Sequence, residues 1–164
     1  LAIYPEGCDY ADRDFLWRIS SATVDLPESD FTALPDYQRY ITPIAGEMTL
    51  CHDGGARIPV PVGTIHAFDG AADTHSWGRC TDFNLMLRKG RASGGMRRIA
   101  GSAGSECRVE VPENHIALLY CAQGEVQIEG ANLTFAAGDS LVTDAPVRLL
   151  LRADSVLMEA TASR

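Results

Sequence analysis

The chain of 164 residues lacks any apolar run approaching the roughly 18 residues that a membrane-crossing helix needs. It also lacks a positive balance. A net charge of -8 argues against a nucleic-acid partner, because such proteins carry a basic footprint. The five cysteines, Cys8, Cys51, Cys80, Cys107 and Cys121, are odd in number and form no Cys-x-x-Cys, which points away from a disulfide framework and from a structural zinc site. Cys121 stands in Leu-Tyr-Cys-Ala, where a free thiol behaves as a small hydrophobe, so a cytoplasmic setting is expected. No signal peptide is visible, although the first residue is Leu1 rather than Met, which leaves a preceding strand or targeting segment open.

Catalytic signatures are absent too. His52, His66, His75 and His115 are singletons, and neither Glu47 nor Glu125 is followed by paired histidines, so no metal or other cofactor is expected. There is no Gly-x-Ser-x-Gly elbow. Cys51 and His52 are adjacent, and neighbours on a strand point to opposite faces. No catalytic residue is assigned on this basis. His75 with Asp82 is the pair that an acid–base enzyme would use.

Long helical periodicity is nearly missing. About a dozen short runs rich in Val, Ile, Leu, Tyr, Phe and Thr alternate with Gly, Pro, Asp and Asn, the pattern of an all-β sandwich or barrel. Pro27 to Asp30 and Ala71 to His75 offer the only helical turns. Ile44-Ala45-Gly46-Glu47-Met48-Thr49-Leu50 resembles Ala122-Gln123-Gly124-Glu125-Val126-Gln127-Ile128, which suggests two related β-lobes in one compact unit of 1–164. The lobes are placed at about 1–90 and 105–164. The Gly- and Arg-rich segment 90–104 reads as a mobile crossover.

The stretch from Cys80 to Gly90 is the most telling. Asp82, Asn84 and Met86 fall on one side, and Phe83, Leu85 and Leu87 on the other. Asp and Asn are depleted from strands, so this is either a solvated edge strand or a strand whose polar face serves a purpose. Arg18 is similarly conspicuous in the apolar run Trp17-Arg18-Ile19. It either pairs with Asp82 or offers its planar fork to a ligand carboxylate. Asn84 can donate and accept toward a formyl or amide group.

Phe15 to Ser20, Phe31 to Arg39, Gly46 to Leu50, Phe68-Asp69-Gly70 and Thr81 to Met86 resemble the HutD/Ves family, and Ala137-Gly138-Asp139 with the strands before it resembles a cupin half. The resemblance implies a two-lobed, cupin-like (bicupin, jelly-roll type) β-barrel with few short helices. It also implies a regulatory association with bacterial histidine utilisation, with N-formylglutamate, urocanate or a related small carboxylate as ligand. On that reading Arg18, Asp82 and Asn84 recognise the ligand, Phe68 and Trp77 wall the site, and Arg39 and Ser76 assist. A homodimer is expected on general grounds. A metal-independent isomerase or lyase, and a partner-binding β-protein without a small ligand, are the alternatives.

Overall fold

The computed structural model describes residues 1–164, which divide into two compact units, Leu1–Ser93 and Gly94–Arg164. The first contains β1 (Ala2–Tyr4), β2 (Trp17–Val24), β3 (Glu28–Asp30), β4 (Tyr37–Gly46), β5 (Thr49–His52), β6 (Ile58–Pro59), β7 (His66–Asp69), β8 (Thr74–Trp77) and β9 (Cys80–Arg88). The second contains β10 (Gly94–Gly101), β11 (Glu106–Val109), β12 (His115–Gln123), β13 (Glu125–Ile128), β14 (Leu133–Ala136), β15 (Ser140–Thr143), β16 (Val147–Leu151) and β17 (Ser155–Ser163). The sole helical element is a short 3-10 turn at Tyr10–Asp12, opened by Asp9, whose carboxylate accepts from the Ala11 amide.

Strand order shows the same pattern twice. Unit 1 has one sheet ordered β1-β2-β9-β4-β7 and another ordered β3-β8-β5-β6. Unit 2 has β10-β17-β12-β15 and β11-β16-β13-β14. Replacing β2, β9, β4 and β7 by β10, β17, β12 and β15 reproduces the order, and the second sheets correspond likewise. Each unit is thus an eight-stranded double sheet with jelly-roll connections, and unit 1 adds β1. The four sheets keep open edges rather than running on into one closed ring.

The repeated Gly-Glu segments occupy matching places. The β4–β9 register shifts between Pro43 and Ala45, and the β12–β17 register shifts between Cys121 and Gln123. Each bulge leads into a left-handed glycine, Gly46 (φ 83) and Gly124 (φ 89). A Cβ at Gly46 would run into the Arg79 carbonyl, and one at Gly124 into Ser155 and the Asp154 carbonyl. These positions demand glycine on both counts, which is why the two copies look alike.

Three expectations need correction. Segment 90–104 is no loose crossover. Gly94–Gly101 forms β10, paired along its length with β17 from Gly94↔Ala162 to Gly101↔Ser155. The backbones approach closely enough that Gly94 has no room for a Cβ beside the Thr161 carbonyl. The two suspected helical turns instead contain strands. Glu28–Asp30 pairs with β8, and Thr74 to Trp77 is β8 itself, hydrogen-bonded to β5 as well. Polar residues in both had masked the extended backbone that this pairing enforces.

Apolar side chains fill the interior of each unit. In unit 1, Ile41, Leu50, Val60, Phe68 and Cys80 pack together, and Phe15, Leu34, Tyr37 and Met86 form a neighbouring cluster. In unit 2 the core is Val109, Ala117, Leu119, Cys121, Val126, Phe135, Leu149, Leu151 and Leu157.

Candidate functional site

β9 is the middle strand of its sheet, not an edge, and Asp82 and Asn84 are only 5% and 7% exposed. The solvated-edge reading is therefore excluded. Cross-strand register then builds a defined polar face. Met86 lies between Arg18 on β2 and Arg39 on β4. Asn84 lies between Ser20 and Ile41, and Asp82 between Ala22 and Pro43. Phe68 on β7 stands beside Arg39, and His66 beside Ile41. The two arginines are two strand spacings apart, about 10 Å. Asp82 sits four residues further along β9, roughly 13 Å from their row, with Asn84 between. The face thus has two cations at one end, a carboxylate at the other and an amide in the middle.

Arg39 is the most unusual member. It is 7% exposed, and its guanidinium carbon lies 5.0 Å from the ring centroids of both Phe31 and Phe68. One Nη donates a long bond of 3.5 Å to the Thr32 carbonyl, while the buried Nε has no partner. No carboxylate comes within ion-pairing distance of it. Burial pulls its pKa below the ordinary arginine value, with Tyr10 and Asp82 counteracting. A buried guanidinium held between aromatic faces with a free donor is a costly arrangement unless an anion completes it.

Arg18 does not pair with Asp82. Its Nη1 donates to Ser20 Oγ at 2.7 Å, and its guanidinium rests 4.5 Å above the Tyr10 ring. Arg18 and Tyr10 also line an open cleft of about 440 Å³, together with Leu1 to Ile3 and Gly7 to Asp9. Asp82 Oδ1 accepts from Asn84 Nδ2 at 2.6 Å, and its carboxylate also accepts from the Ala22 amide. Burial nevertheless pushes Asp82 up to about 6, because these hydrogen bonds and the two more distant arginines offset only part of the desolvation.

The expected residues divide. Arg18, Arg39, Phe68, Asp82 and Asn84 share one face of one sheet. Ser76 faces the interior from the other sheet, opposite Leu50 in register, and its hydroxyl is held by Ser29. Trp77 does not join them. It points to the opposite face of β8 from Ser76, where Arg57 stacks 4.0 Å over its ring and His75 lies 4.4 Å away. His75 shares that outer face. It contacts Asp30 at 2.6 Å and Glu28 at 3.4 Å, and the Asp30 bond raises its pKa. The suspected His75–Asp82 pair does not form.

Sequence reasoning missed Tyr10, Phe31, His52 and His66. The two histidines meet Nε2 to Nε2 at 2.8 Å with rings 3° from parallel, and His52 stacks on Phe68 at 4.8 Å. Thr74 Oγ1 donates to the Ala72 carbonyl, so it accepts from His52 Nδ1. That leaves His52 Nε2 as an acceptor for His66 Nε2–H. Burial lowers both histidine pKa values. Nothing in the sequence links residues 14 apart on different sheets. No group of three or more His, Cys, Asp or Glu side chains is arranged to hold a metal ion.

The HutD family model matches residues 1–158. The chain belongs to the HutD family. Curated proteins give no match. Among solved structures, a conserved protein of unknown function from Pseudomonas aeruginosa PAO1 is 24% identical, with a TM-score of 0.81 over 97% of this chain and 86% of that one. HutD from Pseudomonas fluorescens SBW25, in a formate condition, is 23% identical, with a TM-score of 0.71 over 92% and 81%. A bacterial pirin from Escherichia coli in complex with nickel(II) is 10% identical, with a TM-score of 0.67 over 87% and 80%. These likenesses establish the cupin-like, two-lobed all-β fold of this HutD family member.

The internal duplication locates the polar face in one unit. The shared bulges equate Arg39 with Ala117, Asp82 with Leu157, Asn84 with Glu159 and Arg18 with Gly95. Phe68 corresponds to Thr143. Unit 2 therefore has an apolar or small residue wherever unit 1 has a charge on this face. Its charged substitutes, Glu159 at the Asn84 position and Arg97 at the Ser20 position, close on each other at 2.6 Å. The double-sheet scaffold alone does not require the arginines or Asp82.

Proposed function

We propose that this HutD family protein binds a small organic acid on the Arg18–Arg39–Asn84–Asp82 face and serves a regulatory role in histidine utilisation, as its family resemblance implies. The observation that carries this is Arg39: a buried guanidinium between Phe31 and Phe68, with a free Nε and no carboxylate partner. A ligand carboxylate supplies the missing acceptor. Arg18 meets it from the cleft side, and Asn84 reads a second polar group. Asp82 holds Asn84 in place and sets a negative boundary. Fold alone does not specify ligand, so the site carries the argument. A homodimer belongs to the same reading, since the edge strands β3, β6 and β7 leave backbone groups available for pairing.

A thermal-shift series with N-formylglutamate, urocanate, glutamate, formate and phosphate tests this. Ligand at about 100 times its Kd adds about 2.7 kcal/mol to native stability. A selective rise with one organic acid, lost in Arg39→Met, supports the proposal. A rise with none of them, or one unaffected by Arg39→Met, overturns it.

A further inference from the structure

Charge balance on the face leads beyond acid binding. Arg18 and Arg39 contribute two positive charges and Asp82 one negative charge, and no ion pair among them cancels any of it. A ligand with one carboxylate brings the face to neutrality with Asp82 ionised. A ligand with two carboxylates leaves one excess negative charge in an interior where Asp82 is 5% and Arg39 7% exposed. Two carboxylates balanced by the two arginines can both stay ionised there, but a third has no cation to balance it and raises the affinity of one of them for a proton.

We propose that the face admits a dicarboxylate together with one proton taken up on Asp82, whereas a monocarboxylate enters without it. This rests on the acid-binding reading and adds a charge rule that makes selection between the two acid classes depend on pH. The proton transfers from solvent to Asp82 Oδ2, leaving Oδ1 as the acceptor for Asn84. The Asp82 carboxyl is already poised for it, since burial, only partly offset by its hydrogen bonds and the two arginines, holds it at about 6.

Arg18 and Arg39 both favour the ionised carboxylate. The Cys80 thiol is pushed up to about 11 and stays protonated at neutral pH. Tyr10 bears on Arg39 from the cleft side. His52 and His66 are the competing proton acceptors. Burial disfavours charge on either; at His52 Asp53 opposes this and Arg39 reinforces it, and at His66 the neighbouring His52 reinforces it.

The test is calorimetric titration of the full chain with glutarate and with butyrate, each in buffers of different ionisation enthalpy, from pH 6 to pH 8. The expected proton uptake near pH 7.5 approaches one per glutarate and stays near zero for butyrate. Glutarate affinity then falls about tenfold per pH unit above pH 7, and butyrate affinity is flat. In Asp82→Asn, glutarate affinity loses its pH dependence. Equal proton uptake for both acids overturns the charge rule while leaving acid binding intact. Uptake that persists in Asp82→Asn also overturns it, and moves the proton to the His52–His66 pair. Failure of both acids to bind the wild-type chain overturns this inference; the acid-binding reading falls with it only if the thermal-shift series is flat as well. The wild-type titrations decide the matter even where Asp82→Asn does not fold.

Discussion

Asp82→Asn separates a residue kept for binding from one kept for stability. Asp82 is raised by burial from 3.8 to about 6. That difference of about two pH units corresponds to about 3 kcal/mol. The folded state holds the Asp82 proton more tightly than the unfolded chain does. The cost of ionising it is therefore absent below about pH 4, grows as pH rises through the interval to about 6, and is fully present above it. The neutral amide avoids that cost at pH 7. It keeps an oxygen for Asn84 Nδ2 but loses one of the carboxylate's two acceptor roles, about 1 kcal/mol. The net expectation is a gain of about 2 kcal/mol at pH 7, or about 4–8 °C in Tm, turning into a loss of about 1 kcal/mol at pH 4. Urea unfolding followed by tryptophan fluorescence suits the purpose, because Trp17 and Trp77 both lie in unit 1 with Asp82. A variant less stable than wild type at pH 7, or a difference that ignores pH, would refute the desolvation argument.

Three further outcomes follow from the packing. Gly124→Ala forces a Cβ into the Ser155 hydroxyl and the Asp154 carbonyl at positive φ, and should cost at least about 2 kcal/mol in chemical denaturation; a neutral effect would discount the matching bulges. Tyr37→Phe removes the hydroxyl that reaches the Phe15 and Arg13 carbonyls at 2.8 and 3.0 Å, so a loss of about 1–2 kcal/mol is expected in the same assay. His75→Ala, on the outer face of β8, should leave organic-acid affinity unchanged by calorimetry; a large loss would return His75 to the site.

The double-lobed fold was largely legible because alternation and the two Gly-Glu segments are local signals of burial and turn geometry. β3, β8 and β10 were not. Glu28-Ser29-Asp30 and Thr74-His75-Ser76-Trp77 have little strand preference, and Gly94 to Gly101 looks like a linker. Their extended form comes from partners distant in the chain. In the site, the period of two on β9 places Asp82 with Asn84, as the structure has them. Arg39 does not stand out in the sequence, because its significance depends on Phe31 and Phe68 closing over it from other segments. Trp77 differs from its expected place for the converse reason. A bulky aromatic in a polar stretch suggests a cavity wall, but β8 turns Ser76 inward and Trp77 outward.

The central claim is that Arg39 is a buried cation awaiting an acid. Its most direct test is isothermal titration of wild type and Arg39→Met with N-formylglutamate and urocanate at pH 6.5, after circular dichroism has established that both proteins are folded. Saturable binding of at least one acid to wild type, weakened by 100-fold or more in Arg39→Met, is the predicted result. Equal affinity in the two proteins, or no binding of either acid to the wild-type chain, would contradict it.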